Sequence, residues 1–352
     1  MEGRTLKILE TIVDEYIRTG EPVGSKTVQE KLDISVSSAT IRNEMASLEQ
    51  QGYLEHPHTS AGRVPTFNGY RLYIERFTPE SSLSREQKEQ IDQMFVNVDG
   101  ASDEEIIEEA SRALAELTKC AIVTTNETSK FSVITKVEVI PTGKRMYVLL
   151  LITSSGNIKN RVCRLSFDLT HEQVAFFQRF AAENLQGLNL ENISDEYIEK
   201  ITTALGGYMM MLSPLMKGVA DLSAELLQEQ VNMEGEANLI TCNQFEGHEI
   251  ATLLQNKNQF TEIMNNAFSG INIMFGKESD SFVVSNSSII TSPFSKDGKK
   301  AGSFGVIGPM RLDYKKIIPY IEYFSNKVTR LLSEEEEDEE LRDIEKEASD
   351  FE

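Results

Sequence analysis

The first quarter of the chain is patterned as short amphipathic helices. Two segments carry apolar residues at helical spacing, at Leu6, Leu9 and Val13 and at Ile41, Met45 and Leu48. Ser25 is a suitable N-cap for a short helix between them, and Ser37 or Ser38 for the later helix, which should end at Gly52. Two helices joined by a short turn predict a helix-turn-helix.

The later helix, residues 38–50, leaves polar side chains on its outer face. An arginine can bond guanine and an asparagine can bond adenine with two hydrogen bonds each, so Arg42, Asn43 and Thr40 are our candidates for reading base edges. Ser38 and Lys26 are candidates for contacts with the DNA backbone. An ordinary amphipathic surface helix is the alternative interpretation of the same pattern.

Residues 53–65 predict a short strand followed by an exposed, wing-like loop. Gly62 is expected to form a tight tip from which Arg63 projects, and such an arginine suits a narrow minor groove. His58 is a further candidate for phosphate contact. His56 and His58 lack nearby cysteine or carboxylate ligands at metal-binding spacing, so we predict no metal site.

Beyond residue 77 the pattern mixes strands and helices. Residues 131–140 alternate, and residues 145–153 are almost all apolar, which predicts a strand buried on both faces. Helices are expected next, with Ser213-Pro214 separating the last two. Strands return afterwards, with an Asp-Gly hairpin at 296–299, and a final helix follows. The expected helices are 171–185, 195–212, 215–231 and 314–332, and the expected strands are 271–275 and 281–291. The pattern indicates an α+β fold in which one domain carries an inserted piece.

The net charge of −21 argues against a nucleic-acid partner only at first sight. Residues 334–352 carry 12 acidic and 2 basic side chains and therefore supply 10 of these charges. Residues 1–77 carry 11 acidic and 9 basic side chains, so DNA binding would depend on where the cations lie. The acidic tail is expected to be disordered.

No catalytic, nucleotide-binding or metal-binding motif is found, so we predict no enzyme activity and no cofactor. The chain has 3 cysteines, and we expect them to be reduced. Because no apolar run is long enough to cross a bilayer and no signal peptide is evident, we predict a cytoplasmic protein without a membrane partner.

Two segments resemble the family of heat-inducible transcription repressors called HrcA. They are VSSATIRNEMASLEQQGYLEHPHTSAGRVPTFNGYRLYIE near the start and GVIGPMRLDYKKIIPYIEYFS at residues 305–325. The resemblance implies an α+β multidomain protein with an N-terminal winged helix-turn-helix and a GAF-like domain interrupted by a dimerising insert. The expected divisions are 1–77 (winged helix), 78–102 (linker and connecting helix), 103–332 (GAF-like, with the insert at about 131–195) and 333–352 (tail).

The resemblance also implies a function. A homodimer would bind double-stranded DNA at an inverted-repeat operator of chaperone operons and repress them, heat stress would relieve repression, and a GroEL-type chaperonin would help the repressor reach its active form. Two alternatives stay open. The GAF-like part could sense a ligand for another operon, or the winged helix could contact protein instead of DNA.

Overall fold

The computed structural model describes twelve α-helices and three antiparallel sheets within residues 3–34, 36–57, 62–78, 82–95, 100–127, 130, 132–204, 207–228, 230–242, 244–255, 260, 263–264, 270–276 and 287–349. The expected α+β class is confirmed. His58 and the rest of 58–61 lie outside the described residues, as do 281–286.

The N-terminal module contains four helices and a two-stranded sheet. Its elements are α1 (Gly3–Thr19), α2 (Ser25–Lys31), α3 (Ser38–Gln50), β1 (Leu54–Glu55), β2 (Val64–Pro65) and α4 (Phe67–Phe77). Strand β1 pairs with β2 through Leu54–Pro65 and Glu55–Val64. The predicted apolar positions of α1 and α3 are almost all buried in one core, and that core continues into the C-terminal part of the chain.

Two capped helices connect this module to the rest. Helix α5 (Arg85–Met94) and helix α6 (Asp103–Thr118) each begin with a complete capping box, formed by Ser84 with Gln87 and by Ser102 with Glu105. In each box the serine hydroxyl accepts from the backbone N–H of the third helical residue, and the side chain of that residue accepts from the backbone N–H of the serine. Two N–H groups that would otherwise have no partner at the helix start are thus satisfied.

The main sheet has five antiparallel strands in the order β7-β3-β10-β9-β8. They are β3 (Ala121–Asn126), β7 (Gln230–Glu234), β8 (Asn272–Phe275), β9 (Ser287–Lys296) and β10 (Lys299–Pro309). The Asp-Gly hairpin is confirmed, since both turn residues have positive φ, 52° at Asp297 and 71° at Gly298. Helix α6 and the last helix, α12 (Tyr314–Ser349), cover one face; α10 (Glu236–Thr241) and α11 (Gly247–Gln255) cover the other.

A second body is inserted between β3 and β7. It contains β4 (Ile134–Gly143), β5 (Met146–Thr153), β6 (Ile158–Arg164), α7 (His171–Asn184), α8 (Asp195–Ala204) and α9 (Gly207–Leu227). Its hydrophobic core includes residues from Ile134 to Leu226, so the insert extends well past the expected limit at residue 195.

Two further expectations for the insert are wrong. Helix α9 passes through Pro214 without ending. Strand β5 alternates between buried and half-buried positions because helices cover only one face of its sheet. The apolar positions Val148, Leu150 and Ile152 therefore lie on the uncovered face.

The acidic tail also differs from expectation. Helix α12 continues to Ser349, through the segment predicted to be disordered. Glutamate has a high helix propensity, so a glutamate-rich run that follows a packed helix can extend it without forming a new nucleus.

Candidate nucleic-acid interface

Helix α3 is held by its buried side. Ile41 and Leu48 are fully buried and Met45 is 5 % exposed, so the opposite side of the helix faces solvent. Ser37 is the N-cap: its hydroxyl accepts from the Thr40 N–H at 3.1 Å and shares a hydrogen bond with the Thr40 hydroxyl at 2.9 Å. The first turn of α3 thus has a fixed start, with its positive dipole end at the surface.

The outward side of α3 presents the side chains expected to read bases. Arg42 and Asn43 are exposed and neither makes a hydrogen bond or ion pair with the residues that the structure describes. Thr40 and Ser38 are half-buried. The Ser38 hydroxyl lies 3.1 Å from that of Ser25, which joins the start of α3 to the start of α2.

Lys26 is brought to the same area by that contact. It is the second residue of α2, is exposed, and has no partner within the described part of the chain. Since Ser25 touches Ser38, Lys26 lies beside the first turn of α3. A cation next to an amino-terminal helix end gives an anion two favourable contacts, one with the charge and one with the free N–H groups.

Glu44 has a structural partner that sequence reasoning missed. Its carboxylate accepts from the Thr5 hydroxyl at 2.7 Å and from Arg4 Nη2 at 2.5 Å, both at the start of α1. The Thr5 and Arg4 hydrogen bonds lower the pKa of the Glu44 carboxyl. Glu44 therefore fixes α3 against α1, and both of its carboxylate oxygens are engaged there. No periodic signal links Arg4 to Glu44, 40 positions away, so the sequence could not reveal this contact.

Arg63 is not placed as expected. Its Nη2 lies 2.9 Å from Glu49 Oε2, and its backbone pairs with Val23 through hydrogen bonds of 2.9 and 3.0 Å. The guanidinium is held against the last turns of α3 and does not project from a tip. Ser38 and Glu49 are roughly 16 Å apart along α3 at 1.5 Å per residue, so Arg63 lies at the opposite end from Lys26 and Ser38.

Gly62 has a different role from the predicted one. It is buried, its φ is not positive, and a Cβ there would stand 2.6 Å from the Pro22 carbonyl carbon. Gly62 therefore allows two backbone segments to approach closely; it does not supply a left-handed turn.

No metal site is found in the described residues, where no group of three or more histidine, cysteine or acidic side chains is placed to hold an ion. His56 Nδ1 lies 3.2 Å from the Pro57 carbonyl oxygen, and the ring is exposed. Of the helices within the described ranges, none is long and apolar enough to span a bilayer.

Comparisons with known proteins converge on one family. The model of the HrcA protein C-terminal domain matches residues 104–318. The heat-inducible transcription repressor HrcA of Acetivibrio thermocellus is 33 % identical over 93 % of this chain and 95 % of its own length. That of Clostridium acetobutylicum is 32 % identical over 91 % and 94 %. A crystal structure of a hypothetical protein shares the fold, with a TM-score of 0.69 and 24 % identity over 95 % of this chain and 99 % of the other.

Proposed function

Because the chain belongs to the HrcA family of heat-inducible transcription repressors, we propose that it represses heat-shock genes by binding their control DNA through the outer side of α3. The relatives named as repressors cover nearly the whole chain, and their names describe a regulator, not an enzyme. The observation that carries the proposal is the pair of exposed side chains, Arg42 and Asn43, that have no partner among the described residues and lie on a helix whose other side is fixed in a core.

The contacts at α3 divide into two kinds. Arg42, Asn43 and Thr40 would meet base edges in the major groove, where arginine and asparagine each form paired hydrogen bonds. Ser38 and Lys26, beside the first turn of the helix, would contact phosphates and set the position of the module along the duplex.

The N-terminal module would be a winged helix, with the β1–β2 segment as its wing. His58 is proposed as a wing residue near phosphate. Arg63 would contact DNA only if its ion pair with Glu49 opened, so its first role in this proposal is to fix the wing to α3.

An inverted-repeat operator requires two copies of α3, and the insert offers a surface for pairing. The uncovered face of the β4–β5–β6 sheet exposes 42 % of Ile140, 61 % of Ile158 and 62 % of Val162. Ile140 and Val162 flank Val148, which pairs with both, and Ile158 pairs with Ile152 further along the same face. Exposed apolar area of this kind marks an interaction surface, and we assign it to the homodimer that the resemblance to the HrcA family implies.

Sedimentation tests the dimer. Val162→Lys places a charge on the uncovered sheet face and should convert the dimer to monomers, whereas Arg164→Lys on the same strand should not. A Val162→Lys protein that sediments as the wild type does would exclude this face.

The same apolar face is a surface on which a GroEL-type chaperonin could act while the insert is unpaired. We propose that chaperonin raises the yield of DNA-binding dimer after heating. Equal recovery of operator binding with and without chaperonin, after one heating and cooling cycle, would rule this out.

The direct test of the function is an affinity measurement with a matched control. Arg42→Ala should weaken binding to an inverted-repeat duplex by about 1–3 kcal/mol if the guanidinium reads a base. Arg179→Ala makes the same change in charge at an exposed arginine of α7, in the insert, and should leave binding unchanged. Equal affinities of the two variants would refute the assignment of α3.

A further inference from the structure

The carboxyl-terminal segment that resembles the family, residues 305–325, packs against the N-terminal module. Lys315, in the first turn of α12, places its Nζ 2.7 Å from Glu10 Oε1 and 3.1 Å from Asp14 Oδ2, both on α1. The same ammonium lies 5.1 Å from the ring centroid of Tyr73, on α4. One side chain of α12 therefore contacts both helices that flank the module's core.

The Lys315 ammonium is paired with two carboxylates of α1. Burial favours the neutral amine, but the hydrogen bond to Glu10 and the charge of Asp14 outweigh it and raise the Lys315 pKa. The Tyr73 hydroxyl also donates to Asp14. Lys315 thus remains a cation held by two carboxylates and an aromatic ring.

Arg311 makes a second contact, at the carboxyl-terminal end of α1. Its guanidinium carbon lies 5.8 Å from the ring centroid of Tyr16. A Cβ on Gly20 would stand 1.9 Å from Arg311 Nη1, so the guanidinium rests directly on the glycine backbone. Gly20 has φ +72°, which favours glycine independently of the space available.

An aromatic cluster completes the junction between the N-terminal module and the main sheet. Tyr70 of α4 and Tyr314 of α12 are fully buried, with ring centroids 5.9 Å apart. Phe275 of β8 lies 6.0 Å from Tyr70 and 6.5 Å from Tyr314. The module and the five-stranded sheet therefore share one core.

We propose that Arg311 and Lys315 are positioning residues that fix the orientation of α3 relative to the rest of the chain and so determine the half-site spacing that a dimer accepts. A continuous path of contacts supports this. Helix α12 packs on β9 of the main sheet, Lys315 and Arg311 hold α1, and α1 holds α3 through Glu44. This inference rests on the proposed DNA-binding function.

Arg311 and Lys315 are better suited to fixing the orientation of the N-terminal module than to stabilising the fold. Partly exposed ion pairs contribute little to the free energy of unfolding, whereas the buried aromatic cluster would keep the module attached without Lys315. Loss of the ammonium should therefore leave the fold intact and widen the range of angles that the module adopts.

Spacing dependence is a property that a purely stabilising contact would not change. One added base pair rotates a half-site by roughly 35° about the duplex and moves it by about 3.4 Å, since a turn contains 10–10.5 base pairs. If the two α3 helices are held rigidly, a longer spacer should lower the affinity strongly. If they are held loosely, the affinity should change little.

The experiment measures the affinity of the full chain for inverted repeats whose spacer is lengthened one base pair at a time. We expect the wild type to lose at least about tenfold at one added base pair, and Lys315→Met to lose much less while keeping its thermal midpoint. Lys316→Met is the matched control, because that neighbouring lysine is exposed and its side chain makes no hydrogen bond or ion pair with the described residues. It should keep the wild-type penalty.

A Lys315→Met protein with the wild-type spacing penalty would overturn the inference and leave the proposed function intact. If Lys315→Met does not fold, Arg311→Met is measured in the same way, with the same two outcomes. A wild type that binds no inverted repeat at any spacing would instead refute the proposed function.

Discussion

Gly69 provides a sharp test of how the N-terminal module is packed. It lies in the first turn of α4, where its N–H donates to the hydroxyl of the N-cap Thr66 at 3.2 Å. A Cβ at this position would stand 2.1 Å from the carbonyl oxygen of Tyr53. The Tyr53 oxygen belongs to the backbone between α3 and β1, so it cannot rotate away as a flexible side chain would.

Two opposing effects decide the outcome of Gly69→Ala. Alanine gains up to about 1 kcal/mol over glycine in helix propensity. Relieving the overlap requires α4 and the Tyr53 segment to separate by roughly 1 Å, and such overpacking typically costs about 1–3 kcal/mol. Because the obstacle is backbone, we expect a cost near the upper limit, and therefore a net destabilisation of about 2 kcal/mol.

Urea unfolding followed by circular dichroism measures this, since the chain has no tryptophan to report by fluorescence. The control is Gly247→Ala, at the start of α11, where a Cβ would meet no atom within 4 Å. It should be neutral or slightly stabilising. If Gly69→Ala were as stable as the wild type, the close approach of α4 to Tyr53 would be wrong.

Two further predictions concern carboxylates of the module. Hydrogen bonds from Arg18 and Lys31 lower the Glu15 pKa from 4.5 to about 2. A carboxyl with a lowered pKa stabilises the fold at pH values above its pKa in the unfolded chain, so the difference in thermal midpoint between wild type and Glu15→Gln should be largest near neutral pH and shrink between about pH 4.5 and pH 2. A difference that does not vary with pH would contradict this. Glu44→Gln should cost about 1 kcal/mol of stability and weaken binding to all DNA sequences equally. A changed preference at one base pair with unchanged stability would instead indicate that Glu44 contacts a base.

Much of the candidate site follows from local sequence. The spacing of Ile41, Met45 and Leu48 determines which side of α3 is buried, and therefore that Arg42 and Asn43 are exposed. The capping boxes and the Asp-Gly hairpin are equally local, since their donors and acceptors lie within a few residues. Such features are specified by the backbone itself and can be predicted from a single sequence.

The wrong expectations concern contacts between distant segments. The sequence places Arg63 in a loop but does not show that the fold brings Glu49 within ion-pair distance of it. Pro214 lies inside a helix whose other residues pack on the insert's sheet, and this packing offsets the lost hydrogen bond. Which side of β5 is uncovered depends on the face of the sheet on which the helices pack. The sequence of β5 is apolar on both sides and does not specify that face.

The most direct test of the account is selection of DNA bound by the full chain from a pool of random duplexes. We predict that the recovered sequences contain two inverted half-sites at one fixed spacing, and that Arg42→Ala loses the preference at one position in each half-site. Recovery of sequences without a repeat, or an identical preference in the Arg42→Ala protein, would contradict the claim that paired α3 helices read an operator.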